Sequence, residues 1–329
     1  MIGALRRALR GRARFTRLQR ERRRYLRSLV ERGDDAALAG EEPLSAEMDG
    51  DSRTLLIAFG GMNQEVGIPP FEFFSLAEDI PVKRLFVRDL RQAWYHRGLP
   101  GHGTTFASVA ETLRELIAAH RVERLVLTGN SAGGYAALAF GALLDADAVL
   151  AFAPQTILDL KALASMRDHR WDDYLKPLVA NDALDARWVD LRPALARAAA
   201  DAGASERGAG AGGRGAGERG AGGRGAGAGG RGESGGGRPD YRVFFAESLR
   251  LDLLHAERLL GTQGLRLYRF GRGDHYLVRA LRDCGALKRI LQRALGVSAG
   301  TQAVASAGTP AADAADGDSQ LRPRRRSAG

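Results

Sequence analysis

Three features of the chain predict an α/β fold, a mostly parallel sheet flanked by helices. Short apolar runs alternate with helical patterns from residue 53 onward. One of those runs feeds through a turn of very small residues into an apolar helix. The composition, 44% hydrophobic and 27% charged, is that of an ordinary globular protein, so 329 residues suffice for a large buried core.

The first 30 residues stand apart. They carry eleven arginines between Arg6 and Arg27 against one acid, Glu21, which accounts for the whole formal charge of +10. Basicity therefore belongs to a terminal arm and not to the body of the protein. Ile2, Leu5, Leu9, Phe15, Leu18, Leu26 and Leu29 lie among the arginines at loosely helical spacing. The arm reads as a contact for an anionic membrane surface or an acidic partner, as a transit-type leader, or as a solvated extension. Residues 31–52, with Gly33, Asp34, Asp35, Glu41, Glu42 and Pro43, read as a linker.

The body spans residues 53–295. Its six candidate core strands are Thr54–Phe59, Arg84–Val87, Arg124–Thr128, Ala148–Phe152, Tyr241–Ala246 and Leu265–Phe270. Between the second and third, Phe106, Val109, Leu113, Leu116 and Ile117 mark an amphipathic helix, with Thr104 or Thr105 as its N-cap. Residues 203–238 are almost wholly Gly, Ala, Arg and Glu. With no large apolar side chains to offset the entropy of ordering, they predict a flexible low-complexity insertion. Alanines interleave its arginines and no Phe or Tyr accompanies them, so nucleic-acid binding is not expected. Residues 296–329, ending in RPRRR before the last three residues, predict a disordered tail.

Cys284 is the one cysteine, which rules out an internal disulfide and favours a reducing compartment. Its apolar helical surroundings predict a buried structural thiol. Nowhere do about 18 consecutive apolar residues occur, and the N-terminus lacks the apolar stretch of a secretory leader. A cytoplasmic protein is expected, with peripheral membrane contact through the arm.

The chemistry concentrates at Gly129–Gly134, GNSAGG, which follows the third strand and precedes the apolar run Tyr135–Leu144. GxSxG is a short pattern, but strand before and helix after are the context that gives it meaning. So sharp a turn needs small residues around the nucleophile, and Gly129, Ala132, Gly133 and Gly134 supply them. Ser131 is thereby lifted to the start of a helix, where the dipole favours developing negative charge. No GxxxxGK[ST] or GxGxxG accompanies it, so a phosphate loop is not expected.

On these residues, residues 53–295 resemble the α/β-hydrolase superfamily. The resemblance implies a nucleophile, then an acid, then a histidine in chain order. It puts the general base just past the last strand, where His275 stands. The acid falls after the preceding strand, at Asp252 or, as the alternative, Glu247. Asp274, adjacent to His275, suits the shaping of the turn better. The oxyanion donors implied are the backbone amide of Ala132 and that of Gly61 or Met62, in the glycine turn after Phe59. Trp94, Tyr95 and His96 in the 88–103 loop, and Trp171, Tyr174 and Trp188 in a helical lid over 155–200, are candidates to border the site.

The expectation is a serine hydrolase that cleaves a carboxylic ester or thioester of a small-molecule or acyl substrate through an acyl-serine intermediate. An acyltransferase or amidase would use the same site, and a non-catalytic binding protein docked through residues 1–30 is the reading from a different class. No cofactor is expected, and no His, Cys and carboxylate group shows metal-ligand spacing.

Overall fold

The computed structural model describes residues 42–62, 73–211, 239–271, 277–297 and 324–326. The arm at residues 1–30, most of the Gly/Arg-rich stretch and His275 lie outside the described residues.

The six expected strands all form. They are β2 (Thr54–Phe59), β3 (Lys83–Val87), β4 (Arg124–Asn130), β5 (Ala148–Phe152), β6 (Asp240–Ala246) and β7 (Leu265–Phe270). Each pairs with its neighbours in parallel, in the order β3-β2-β4-β5-β6-β7. Two short antiparallel strands flank them. β1 (Leu44–Glu47), within the stretch read as linker, pairs with β3, and β8 (Arg324–Arg326) pairs with β7.

Parallel strands covered on both faces read as continuous apolar runs, and β5 is buried at every residue. The period-2 alternation of a strand divides each run between two cores. Leu55, Ile57 and Phe59 of β2 face one core with Leu125, Leu127 and Val149. Leu56 and Ala58 face the other with Val126, Leu150 and Phe152.

Helices α2 (Phe106–Ala119) and α3 (Ala132–Leu143) cover the first face, and α9 (Ala286–Leu295) covers the second. α2 starts at Thr105, whose Oγ1 accepts from the Ser108 backbone N–H at 3.1 Å while Ser108 Oγ accepts from the Thr105 N–H at 3.1 Å. That reciprocal pair is a capping box, and it selects Thr105 over Thr104. α3 is buried along most of its length because its alanines and glycines let it lie close to β4 and β5.

The lid region supplies α4 (Leu160–Ser165), α5 (Asp172–Ala180) and α6 (Leu191–Ala211), the last reaching into the start of the Gly/Arg-rich stretch. The remaining helices are α1 (Phe74–Ala77), α7 (Arg250–Arg258) and α8 (Leu277–Asp283). Among the described residues, no helix is long and apolar enough to cross a membrane.

The expectation of a buried Cys284 is corrected, because the residue is exposed. It lies in the break between α8 and α9, where Gly285 turns left-handed at φ 70°. The apolar periodicity of the two helices does not run through that break, so position 284 faces outward, its Sγ 3.4 Å from the Leu281 carbonyl.

Candidate active site

β4 ends at Asn130, α3 starts at Ala132, and Ser131 between them has φ 56° and ψ −117°. A side-chain-bearing residue rarely adopts that conformation, and it persists only where the surroundings over-determine it. Here Ser131 N–H donates to the Phe152 carbonyl at 2.9 Å, and the Ser131 carbonyl accepts from Tyr135 N–H at 3.0 Å. The glycines are dictated by contact. A Cβ on Gly129 would collide with the backbone of Gly133, and one on Gly133 with the carbonyl oxygen of Phe59. The strand, the turn and the helix thus interlock through positions that have no side chain.

The same contact brings the glycine turn after β2 to the elbow. The place of a Gly133 Cβ is 3.1 Å from the Gly60 carbonyl carbon, so Phe59 and Gly60 lie against the first turn of α3. Gly60 N–H donates to the Val87 carbonyl at 2.8 Å, and the Tyr95 hydroxyl reaches the Gly60 carbonyl at 2.9 Å. Gly60 is thus held by hydrogen bonds through both its N–H and its carbonyl.

The order of the parallel strands, with the strained serine at the carboxyl end of a central one and a helix beginning at the next residue, decides the fold. The chain has the α/β-hydrolase fold. No family model matches it, and neither does any curated protein sequence. Solved structures similar to it include a fluorophosphonate-binding serine hydrolase of Staphylococcus aureus, at 11% identity and TM-score 0.46, covering 75% of this chain and 85% of that one. The capsule O-acetyltransferase of Neisseria meningitidis serogroup A is similar at 14% identity and TM-score 0.46, with 76% and 90% covered. An esterase, rPPE, is similar at 15% identity and TM-score 0.47, with 82% and 86% covered.

Within this fold the 88–103 loop follows β3 at the carboxyl end of the sheet. Asp89 organises it, its buried Oδ2 accepting from Ala93 N–H at 2.6 Å and Tyr95 N–H at 2.9 Å. Burial pushes the Asp89 carboxyl up to about 6, and the N–H bonds from Tyr95 and Ala93 work against that rise. Those bonds hold Trp94 and Tyr95 at φ 50° and 66°. Trp94 Nε1 donates to Gln155 Oε1 at 2.6 Å, and its ring meets Trp171 edge-to-face with centroids 6.2 Å apart. The 88–103 loop and the 155–200 region are thereby packed together.

Asp252 and Glu247 occupy different environments. Asp252, in the first turn of α7, is 2% exposed, and its Oδ1 lies 3.1 Å from Arg170 Nη1. Glu247 directly follows β6, its side chain 40% exposed and paired with Arg269 at 3.2 Å.

A cluster that sequence reasoning missed surrounds Asp252. Arg170 grips Asp168 with two parallel bonds, Nε to Oδ1 at 2.9 Å and Nη2 to Oδ2 at 2.7 Å. Asp168 Oδ2 also lies 3.0 Å from His255 Nε2. Burial opposes the charge on Asp168, but the bonds from His255 and Arg170 hold its carboxyl well below the ordinary range. His255 Nδ1 accepts from Thr156 N–H at 3.1 Å, which leaves the proton on Nε2, facing Asp168. Both nitrogens of His255 are engaged in structure. Among the described residues, no group of three or more His, Cys, Asp or Glu is arranged to hold a metal ion.

Proposed function

We propose that this protein is a serine hydrolase that cleaves a carboxylic ester or thioester through an acyl-serine intermediate. The observation that carries the reading is Ser131 itself, a nucleophilic side chain held at φ 56° on a strand-to-helix turn that admits only glycine at positions 129 and 133. Strain of that kind costs on the order of 1–3 kcal/mol and is concentrated at functional sites.

In the proposed reaction Ser131 Oγ attacks the substrate carbonyl while His275 Nε2 takes its proton. The N–H of Ala132 and that of Gly61 or Met62 receive the charge that forms on the carbonyl oxygen. His275 returns the proton to the leaving alcohol or thiol, then activates the water that releases the acid. Asp252 accepts the Nδ1 proton of His275 and stabilises the imidazolium. The approach of Phe59 and Gly60 to the first turn of α3 supports the donor pair, and the burial of Asp252 supports its choice over Glu247. The arginine arm would hold the enzyme at an anionic membrane surface or acidic partner. Removing residues 1–30 should then leave turnover unchanged.

Labelling with a fluorophosphonate probe tests the reading, comparing the intact protein with Ser131→Ala and His275→Ala. Labelling of the intact protein that disappears in both variants is expected. A folded intact protein that takes no label overturns the reading in favour of a binding protein.

A further inference from the structure

Asp252 does not stand alone on α7. His255 lies three residues further on, one turn along the same helix, and both side chains are buried on contacts with the segment between α4 and α5. That segment contributes one guanidinium, Arg170, and one carboxylate, Asp168, which lie within two residues of each other. Arg170 takes Asp168 in its fork with Nε and Nη2 and turns Nη1 to Asp252 Oδ1 at 3.1 Å. Asp168 is fixed in turn by His255, and His255 by the Thr156 N–H in the loop that leaves β5. The backbone N–H of Arg170 closes on Asp168 Oδ1 at 3.2 Å.

From this geometry we infer that Arg170 is a positioning residue for the proposed acid. It fixes the direction of the Asp252 carboxylate by binding Oδ1. The inference rests on the serine-hydrolase reading, because only that reading gives Asp252 a task. A planar fork anchored at two other atoms sets a compensating charge beside the buried Asp252 in a fixed direction. Among the described residues, the charged and titratable groups around Asp252 include Arg170 and Asp168 from the α4–α5 connection and His255 on its own helix. Removing the Arg170 cation takes a positive charge from the proposed site, which moves the acid limb of activity toward higher pH.

The rate of fluorophosphonate labelling against pH reads this without knowledge of the substrate. In that reaction the Ser131 Oγ–P bond forms as P–F breaks, fluoride leaves, and the serine proton passes to His275. For Arg170→Gln we expect saturating labelling to slow about tenfold, with the half-saturating probe concentration within about twofold of wild type. We also expect the acid limb to rise by about one pH unit. Arg170→Lys keeps the charge without the fork, and should return the limb to its wild-type position while restoring only part of the rate. A wild-type limb and rate in Arg170→Gln overturn the inference, as does a slowed rate with an unmoved limb, which marks a purely structural role. If Arg170→Gln does not fold, Arg170→Met, which also removes the charge, is read by the same two criteria of rate and limb. Failure of the underlying reading looks different, since the wild-type protein itself would then take no label.

Discussion

His96 Nε2 lies 2.7 Å from the hydroxyl of Tyr135, and the surrounding bonds fix where the proton is. Tyr135 Oη donates its single proton to the Trp188 carbonyl at 2.8 Å, so it accepts from His96 Nε2–H. His96 Nδ1 accepts from the Asp185 N–H at 2.9 Å. The neutral imidazole therefore joins the 88–103 loop, α3 and the lid. Burial drives His96 down to about 4, against the pull of the Asp185 charge. A base with a depressed folded pKa lends stability that is complete above its unfolded value of 6.5 and is lost as pH falls toward 4. Between pH 7 and pH 5 that loss is about 2 kcal/mol. Asp89 has the opposite sign, because its raised carboxyl adds stability at low pH that fades as pH rises through about 6. The wild-type profile mixes the two, so the measurement is a comparison. Urea melts at pH 7 and pH 5 should show wild type losing about 2 kcal/mol more than His96→Asn. Equal losses in the two proteins would refute the neutral link.

Gly133→Ala should separate the elbow from the rest of the fold. Its Cβ meets backbone, the Phe59 carbonyl, and not the end of a pliable side chain. Phe59 and Gly60 must then move away from the first turn of α3. Overpacking of this kind costs about 1–3 kcal/mol, so the protein should still fold. Labelling by fluorophosphonate should fall about a hundredfold or more, because a displaced oxyanion donor has an effect of that size. A folded variant labelled at the wild-type rate would show that the donor turn lies elsewhere.

Thr105→Ala removes one half of the capping box of α2, far along the chain from the catalytic candidates. Loss of a Thr cap costs about 1 kcal/mol. Thermal unfolding should register that loss while the labelling rate stays at its wild-type value.

The parallel strands were legible because burial on both faces forces continuous apolar runs, as in Leu55–Phe59 and Ala148–Phe152. The elbow was legible because its geometry tolerates only small residues and GNSAGG states that constraint locally. β1 was not, since Leu44–Glu47 is a four-residue edge strand with one apolar face and takes its shape from pairing with β3. The cluster around Asp252 was not legible either. Its partners are 82 residues apart at Arg170–Asp252 and 87 at His255–Asp168, a relationship only the folded chain creates. One local trace existed. Asp-x-Arg closes a side-chain pair at Asp168–Arg170, and again at Asp185–Arg187 and Asp240–Arg242.

Asp252 and Glu247 make opposite predictions as the acid of the proposed triad. An acid that orients His275 must hold one geometry and stay ionised when the imidazole becomes charged. Asp252 is held in one geometry, buried at 2% exposure and tied to the Arg170 cation. Glu247 is 40% exposed, and its partner Arg269 also reaches Glu257 at 3.5 Å, a pairing that solvent weakens. Asp252→Asn should therefore lower the labelling rate by about a thousandfold or more, as expected when the orienting acid can no longer accept the imidazole proton. Glu247→Gln should stay within about twofold of wild type, a surface pair contributing about 1 kcal/mol at most. The reverse ranking, with both variants folded by circular dichroism, would move the acid to Glu247 and leave the Arg170–Asp252 pair as a structural clamp on α7.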